Sequence, residues 1–261
     1  MKKTIIIIGL ILLLVAATAL AGCRTVLLSE QNGPVITREY EFTDFTGIEV
    51  GHAFELEVTP SDTYKVTITA GEKVLDRIDV KKAGGILNFD INDLFFTWNT
   101  RPKVAIAMPV LRDLDMSGAS KGNVRGFKSA EDFNLVLSGA SELDLDMETG
   151  DFTADISGAS RLAGFIKAAS SHIELSGASR SELKGAGGDM ILDASGASHV
   201  NMIDFAVEDA HIELSGASYA GLTIDGELNA DLSGASSLEY GGNPTLGSLD
   251  LTGASSIERK D

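Results

Sequence analysis

The stretch His172-Ile173-Glu174-Leu175-Ser176-Gly177-Ala178-Ser179 recurs letter for letter at 211–218. Its last four residues recur further still. Ser-Gly-Ala-Ser begins at Ser117, Ser138, Ser157, Ser176, Ser195, Ser215 and Ser233, and Thr-Gly-Ala-Ser begins at Thr252. Successive starts differ by 21, 19, 19, 19, 20, 18 and 19 residues. Eight copies at a period near 19 define a repeat architecture.

The flanks say what each repeat is made of. One residue before the motif stand Met116, Leu137, Ile156, Leu175, Ala194, Leu214, Leu232 and Leu251. The position three before it is apolar in every copy as well, from Leu114 to Leu249. Between the two the residue is acidic in seven of eight copies (Asp115, Asp155, Glu174, Asp193, Glu213, Asp231, Asp250), with Val136 the exception. Apolar-polar-apolar alternation is the strand period, with one face buried and one wet. A weaker alternation resumes after the motif, as in Leu143 and Leu145 or Val200 and Met202.

About 19 residues hold two short strands and tight turns, but no convincing helix. One such unit cannot bury its apolar stripe alone. Stacked units can, because each position then lies about 4.8 Å above its twin. The sequence therefore predicts an all-β protein, a single-domain parallel β-helix with ~19-residue coils turning at Ser-Gly-Ala-Ser corners. Glycine allows positive φ at such a corner, alanine leaves room for stacking, and the serines offer hydroxyls to turn backbone. Which of the four residues points inward stays open, as does the number of faces per coil.

Residues 35–110 lack the motif but read as strands, among them Ile48-Glu49-Val50, Phe54 to Val58, Tyr64 to Thr69, Ile86 to Ile91 and Lys103 to Met108. A solenoid must close its ends, so this segment is expected to form irregular coils and an N-terminal cap ahead of the repeats at 111–261.

The first residues belong to a different physics. Lys2 and Lys3 precede an apolar run from Ile5 to Val15, and small residues lead to Leu20-Ala21-Gly22-Cys23. That order reads as an export signal over 1–22. It resembles the bacterial lipobox, which implies cleavage before Cys23 and attachment of fatty acyl chains such as palmitate to that residue. Residues 23–34 then form a tether, and the protein is expected in the cell envelope, held to a membrane by its N-terminal lipid. The alternative is an uncleaved apolar anchor.

Cys23 is the only cysteine, which excludes an intramolecular disulfide. The formal net charge is −17, and loss of Lys2 and Lys3 with the signal makes it −17 − 2 = −19. Such a surface repels nucleic acid, and no nucleic-acid partner is expected.

The opening Phe42-Thr43-Asp44-Phe45-Thr46-Gly47-Ile48-Glu49-Val50, the strand Phe54 to Val58 and the glycine-centred corners together resemble the bacterial head GIN domain family. The resemblance covers roughly residues 40–257. It implies a parallel β-helix related in shape to pectin lyases, and an autotransporter-like adhesin role. Corners in that family often read Gly-Ser-Gly or Ser-Gly-Ala-Gly, whereas this chain writes Ser-Gly-Ala-Ser almost throughout.

Chemistry-bearing patterns are sparse. A serine at every corner is structural, since the nucleophile elbow Gly-x-Ser-x-Gly sits between a strand and a helix. His172 and His211 share a repeat position two coils apart, about 9.6 Å, too far to ligate one zinc. Four column acids have a basic or titratable residue six positions on (Lys121, Arg161, Arg180, His199), which suggests pairing across the corner. Glu213, Asp231 and Asp250 lack such a partner and are weak candidates for a divalent cation. No cofactor is expected. Leu94-Phe95-Phe96-Thr97-Trp98 holds the only tryptophan and reads either as a plug on the end of the stack or as a contact loop. The expected function is non-enzymatic surface contact with a glycan or protein ligand. The alternatives are a carbohydrate-active enzyme of pectin-lyase-like shape and a weakly cation-binding structural protein.

Overall fold

The computed structural model describes residues 32–91 and 101–260. Two strands per coil build two facing sheets, one of 12 strands and one of 11. In the repeats the strand before each corner joins the 11-stranded sheet, B, and the strand after it joins the 12-stranded sheet, A. The first such coil is β8 (Asp113–Met116) and β9 (Lys121–Lys128), and the last is β22 (Thr245–Leu251) and β23 (Ser256–Arg259). Neighbouring coils pair in parallel: Leu135, Val136 and Leu137 of β10 (Phe133–Leu137) lie opposite Ala154, Asp155 and Ile156 of β12 (Phe152–Ile156). The fold expected from the repeat is the fold observed.

Alternation fills the space between the sheets. From sheet B come the residues one and three before the first seven motifs, and from sheet A come residues such as Leu143, Leu145, Val200 and Met202, all buried. In the last coil Leu249 is half-buried and Leu251 exposed. Phe133 and Phe152, opposite one another in register, stack with ring centroids 6.0 Å apart.

The corner turns on two residues. Its glycine has φ between +73° and +75° in all eight copies, a region L-residues avoid. A Cβ on Gly158, Gly177 or Gly196 would lie 2.4–2.6 Å from the carbonyl oxygen of the glycine one coil earlier. That oxygen is occupied: the N–H of the following alanine donates to it, at 2.7 Å from Ala178 to Gly158. The fourth residue points inward. Ser120, Ser141, Ser160, Ser179, Ser198, Ser218 and Ser236 are 0–2% exposed and form a polar seam inside the corner. Most of their hydroxyls donate to the carbonyl of the first serine of the same corner, as Ser179 does to Ser176 at 2.9 Å.

The stack begins before the motif does. β2 (Gly47–Val50) pairs in parallel with β8, and β3 (Glu55–Pro60) with β9, placing Val50 opposite Met116 and Glu55 opposite Lys121. Gly51-His52-Ala53-Phe54 therefore occupies the corner position. His52 takes the glycine's place at φ +61°, and Phe54, fully buried, takes the place of the inward serine. Beneath this coil lie β6 (Ile86–Ile91) and β7 (Lys103–Met108), which come later in the chain. Antiparallel strands then close the bottom: β4 (Lys65–Gly71) on β7, β1 (Val35–Tyr40) on β4, and β5 (Ile78–Ala83) on β6. The helix α1 (Glu72–Leu75) tucks Val74 and Leu75 into the core there.

Candidate contact surfaces on the two sheets

The outward positions of the strands form straight columns up the solenoid, so each sheet presents its own chemistry. On sheet B the column runs Glu49, Asp115, Val136, Asp155, Glu174, Asp193, Glu213, Asp231, Asp250, each residue in register with the next. With the first serines of four corners, its stretch from Asp155 to Asp231 lines a groove of about 390 Å³. Burial, Glu49 and Asp155 push the Asp115 carboxyl above its ordinary range, because a charge there is poorly solvated and repelled.

The pairing expected around the corner does not form. Lys121 pairs with Glu142, and Arg161 with Glu182 at 2.6 Å. The Arg180 side chain makes no ion pair with Glu174, and His199 stacks on Tyr219 at 4.6 Å. The reason is geometric. A column acid projects from sheet B and the residue six later from sheet A, with the corner between them. Ion pairs therefore run along the stack within sheet A: Lys103–Glu55 at 2.8 Å, Arg125–Asp144 at 3.0 Å and Lys184–Asp204 at 2.8 Å.

Sheet A is also the less regular face. Its ladder shifts register at Asp146/Met147, Glu182/Gly185 and Met202/Ala206. Around these bulges opens a groove of about 530 Å³. Ala163 and Gly164 line it, Phe165 beside them is 45% exposed, and the pairs Arg125–Asp144 and Lys184–Asp204 line it as well. Farther up the same face Tyr219 donates its hydroxyl to Glu239 at 2.7 Å. Burial and that bond raise the phenol to about 12.

Of the residues singled out from sequence, Glu213, Asp231 and Asp250 stand on consecutive coils of the sheet B column. Cys23 and the candidate contact loop Leu94, Phe95, Phe96 and Trp98 lie outside the described residues. The sheet A groove is not legible in the sequence because its residues come from five coils and share no motif. Phe165 was the available signal, a large apolar residue at an outward position. No helix among the described residues is long and apolar enough to cross a membrane.

No curated protein matches the chain. Solved structures do. One from Parabacteroides distasonis, described as a putative lipid binding protein, superposes with a TM-score of 0.82 at 17% identity, covering 88% of this chain and 98% of that one. A putative adhesin from Parabacteroides merdae gives 0.81 at 16% identity, with the same coverage. A putative adhesin from Bacteroides fragilis gives 0.63 at 18% identity, covering 87% and 97%. At these identities the likeness is one of fold. The family model described as "putative auto-transporter adhesin, head GIN domain" matches residues 44–244, which spans the lower coils and nearly all the repeats. The chain belongs to the head GIN domain family of auto-transporter-like adhesins.

Proposed function

We propose that this protein is a non-enzymatic adhesion module, held in the cell envelope by a lipid on Cys23, that contacts a glycan or protein surface through the outer face of sheet A. The family's adhesin description supports the surface role. The observation that carries the reading is the groove around Phe165. An exposed ring beside ordered polar side chains suits a sugar ring or an aromatic-seeking protein patch. Of the four carboxylates that line it, three (Asp144, Glu182 and Asp204, but not Asp146) are each held in an ion pair, with Arg125, Arg161 and Lys184. Hydrolysis of a glycoside requires instead two carboxylates set apart as acid and base across a scissile bond. Paired acids favour binding over turnover.

The test is a panel of glycans and matrix proteins probed with the full chain and with Phe165→Ala. Binding that falls at least about tenfold in the variant supports the reading, in line with the loss of an aromatic anchor. Binding indifferent to Phe165, or release of sugar fragments by the wild type, rejects it. The anchor is tested separately, by metabolic labelling with a fatty-acid analogue. Label on the wild type but not on Cys23→Ala is expected, and label retained by the variant counts against lipidation at that residue.

A further inference from the structure

Two histidines, His172 and His211, stand beside the acidic column of sheet B. His172 lies on β14 (Ser170–Leu175), two residues before Glu174, so both side chains leave the same face. Its Nε2 is 3.4 Å from Glu174 Oε1 and 3.7 Å from Asp193 Oδ2. Asp193 stands opposite Glu174 on the next coil, in β16 (Asp189–Ala194). The three donor atoms all lie within 4.8 Å of one another, and among the described residues no other group of His, Cys, Asp or Glu converges in this way.

We propose that His172, Glu174 and Asp193 form a binding site for a zinc-class divalent cation. Zinc holds nitrogen and oxygen donors at about 2.0–2.2 Å in a tetrahedron, which sets donor atoms roughly 3.3–3.6 Å apart. Two of the distances here already fall near that range. Two carboxylates alone would be one more stretch of the column. The imidazole changes the donor set, because mixed nitrogen and oxygen ligands suit zinc, copper or nickel, whereas calcium takes oxygens. All three residues sit on hydrogen-bonded strands of fixed register, so the site is set by the ladder rather than by a loop. Their side chains are 40–59% exposed, which leaves the outer coordination position to water.

The charge around the trio favours a cation. Asp155 and Glu213 flank Glu174 and Asp193 in one groove, and no lysine or arginine among the described residues pairs with Glu174 or Asp193. The second copy of the octapeptide is a built-in control. His211 Nε2 lies 3.4 Å from Glu213, but no third donor joins that pair. Identical letters thus give a three-donor site at one height and a two-donor contact at the other. The site lies on the sheet opposite the Phe165 groove, so it stands apart from the contact role.

Metal-stripped full chain titrated with zinc chloride tests the site. About one equivalent is expected to bind, with affinity reduced more than about tenfold by His172→Ala and by Asp193→Asn, since even residues supporting a ligand are worth that much. His211→Ala should leave the affinity unchanged. Cobalt(II) should give visible d–d bands in the wild type that His172→Ala abolishes. The three side chains are exposed, and Asp193→Asn relieves repulsion by Glu174 and Glu213. Without metal, neither His172→Ala nor Asp193→Asn should therefore melt clearly below the wild type, which reports their folding. Absence of zinc uptake by the wild type overturns the proposal. So does uptake insensitive to His172, or uptake weakened equally by His211→Ala, which marks diffuse attraction to the acidic column.

Discussion

Gly177 stands directly on Gly158: the N–H of Ala178 donates to the Gly158 carbonyl at 2.7 Å, and a Cβ on Gly177 would lie 2.6 Å from that same oxygen. The corner is thus closed to side chains by its neighbour as well as by its own φ of +75°. Gly177→Val should lower stability by more than about 2 kcal/mol, because left-handed strain is joined by a collision with backbone. Gly253 has the same φ and the same 2.6 Å approach to Gly234, yet it lies in the outermost coil. There the coil can fray, and Gly253→Val should cost below about 1 kcal/mol. Chemical denaturation of the two variants side by side checks this; equal losses would contradict it.

The serine seam yields a contrast within one column. Ser179 donates to Ser176 at 2.9 Å and lies 3.4 Å from the hydroxyl of Ser198. Ser179→Ala should destabilise by about 1 kcal/mol, the net worth of a buried hydrogen bond and its orphaned partner. Ser160 is equally buried, but its hydroxyl has no partner. Ser160→Ala should be neutral or stabilising. Denaturant midpoints measure both, and a loss at Ser160 matching that at Ser179 would show a partner in solution.

Val136 is the gap in the acidic column, between Asp115 and Asp155. Val136→Asp adds two like-charge contacts at about 5 Å, each worth roughly 0.8 kcal/mol at the dielectric of water. Stability should fall by about 1–2 kcal/mol at low salt and recover as salt screens the column. Asp115→Asn should do the reverse. The folded state raises the pKa of Asp115, so it holds a proton that the unfolded state has released, and stability falls as pH rises through that window. The gain from Asp115→Asn should therefore be present at neutral pH and vanish on acidification. Denaturation across pH and salt decides the matter.

Tyr219 sets the alkaline limit. Its folded pKa is about 12, against about 10 in an unfolded chain. Between these values the unfolded state has lost a proton that the folded state keeps. Stability from this group is full below pH 10 and declines as pH rises through 12. Tyr219→Phe should flatten that decline, and comparing the two proteins from pH 9 upward isolates the contribution from the other tyrosines. Identical slopes would mean that Glu239 does not hold the phenol.

Much of this is legible in the sequence alone. Leu175 and Ile173 around Glu174 state the strand, its face and its period within three residues, and eight repetitions leave stacking as the way to bury them. The first coil was equally spelled in Ile48-Glu49-Val50, the same apolar-acid-apolar triplet. That triplet reads as a strand, but its corner is disguised, because Gly51-His52-Ala53-Phe54 holds histidine at the positive φ that glycine takes elsewhere.

The sequence by itself determined the period, the buried face of each strand and the glycine at each corner, since these depend on alternation and sterics within a few residues. Only the tertiary structure decided the rest. It makes two sheets, turns the fourth serine inward, and seats β6 and β7 beneath β2 and β3 although they follow them in the chain. It also joins Lys121 to Glu142 rather than Asp115, and brings Asp193 to His172 while Asp231 stays out of reach of the equivalent His211. Those outcomes depend on which coil lies next to which and on where each side chain points across that gap, and a repeat states one coil's preferences without stating its neighbour.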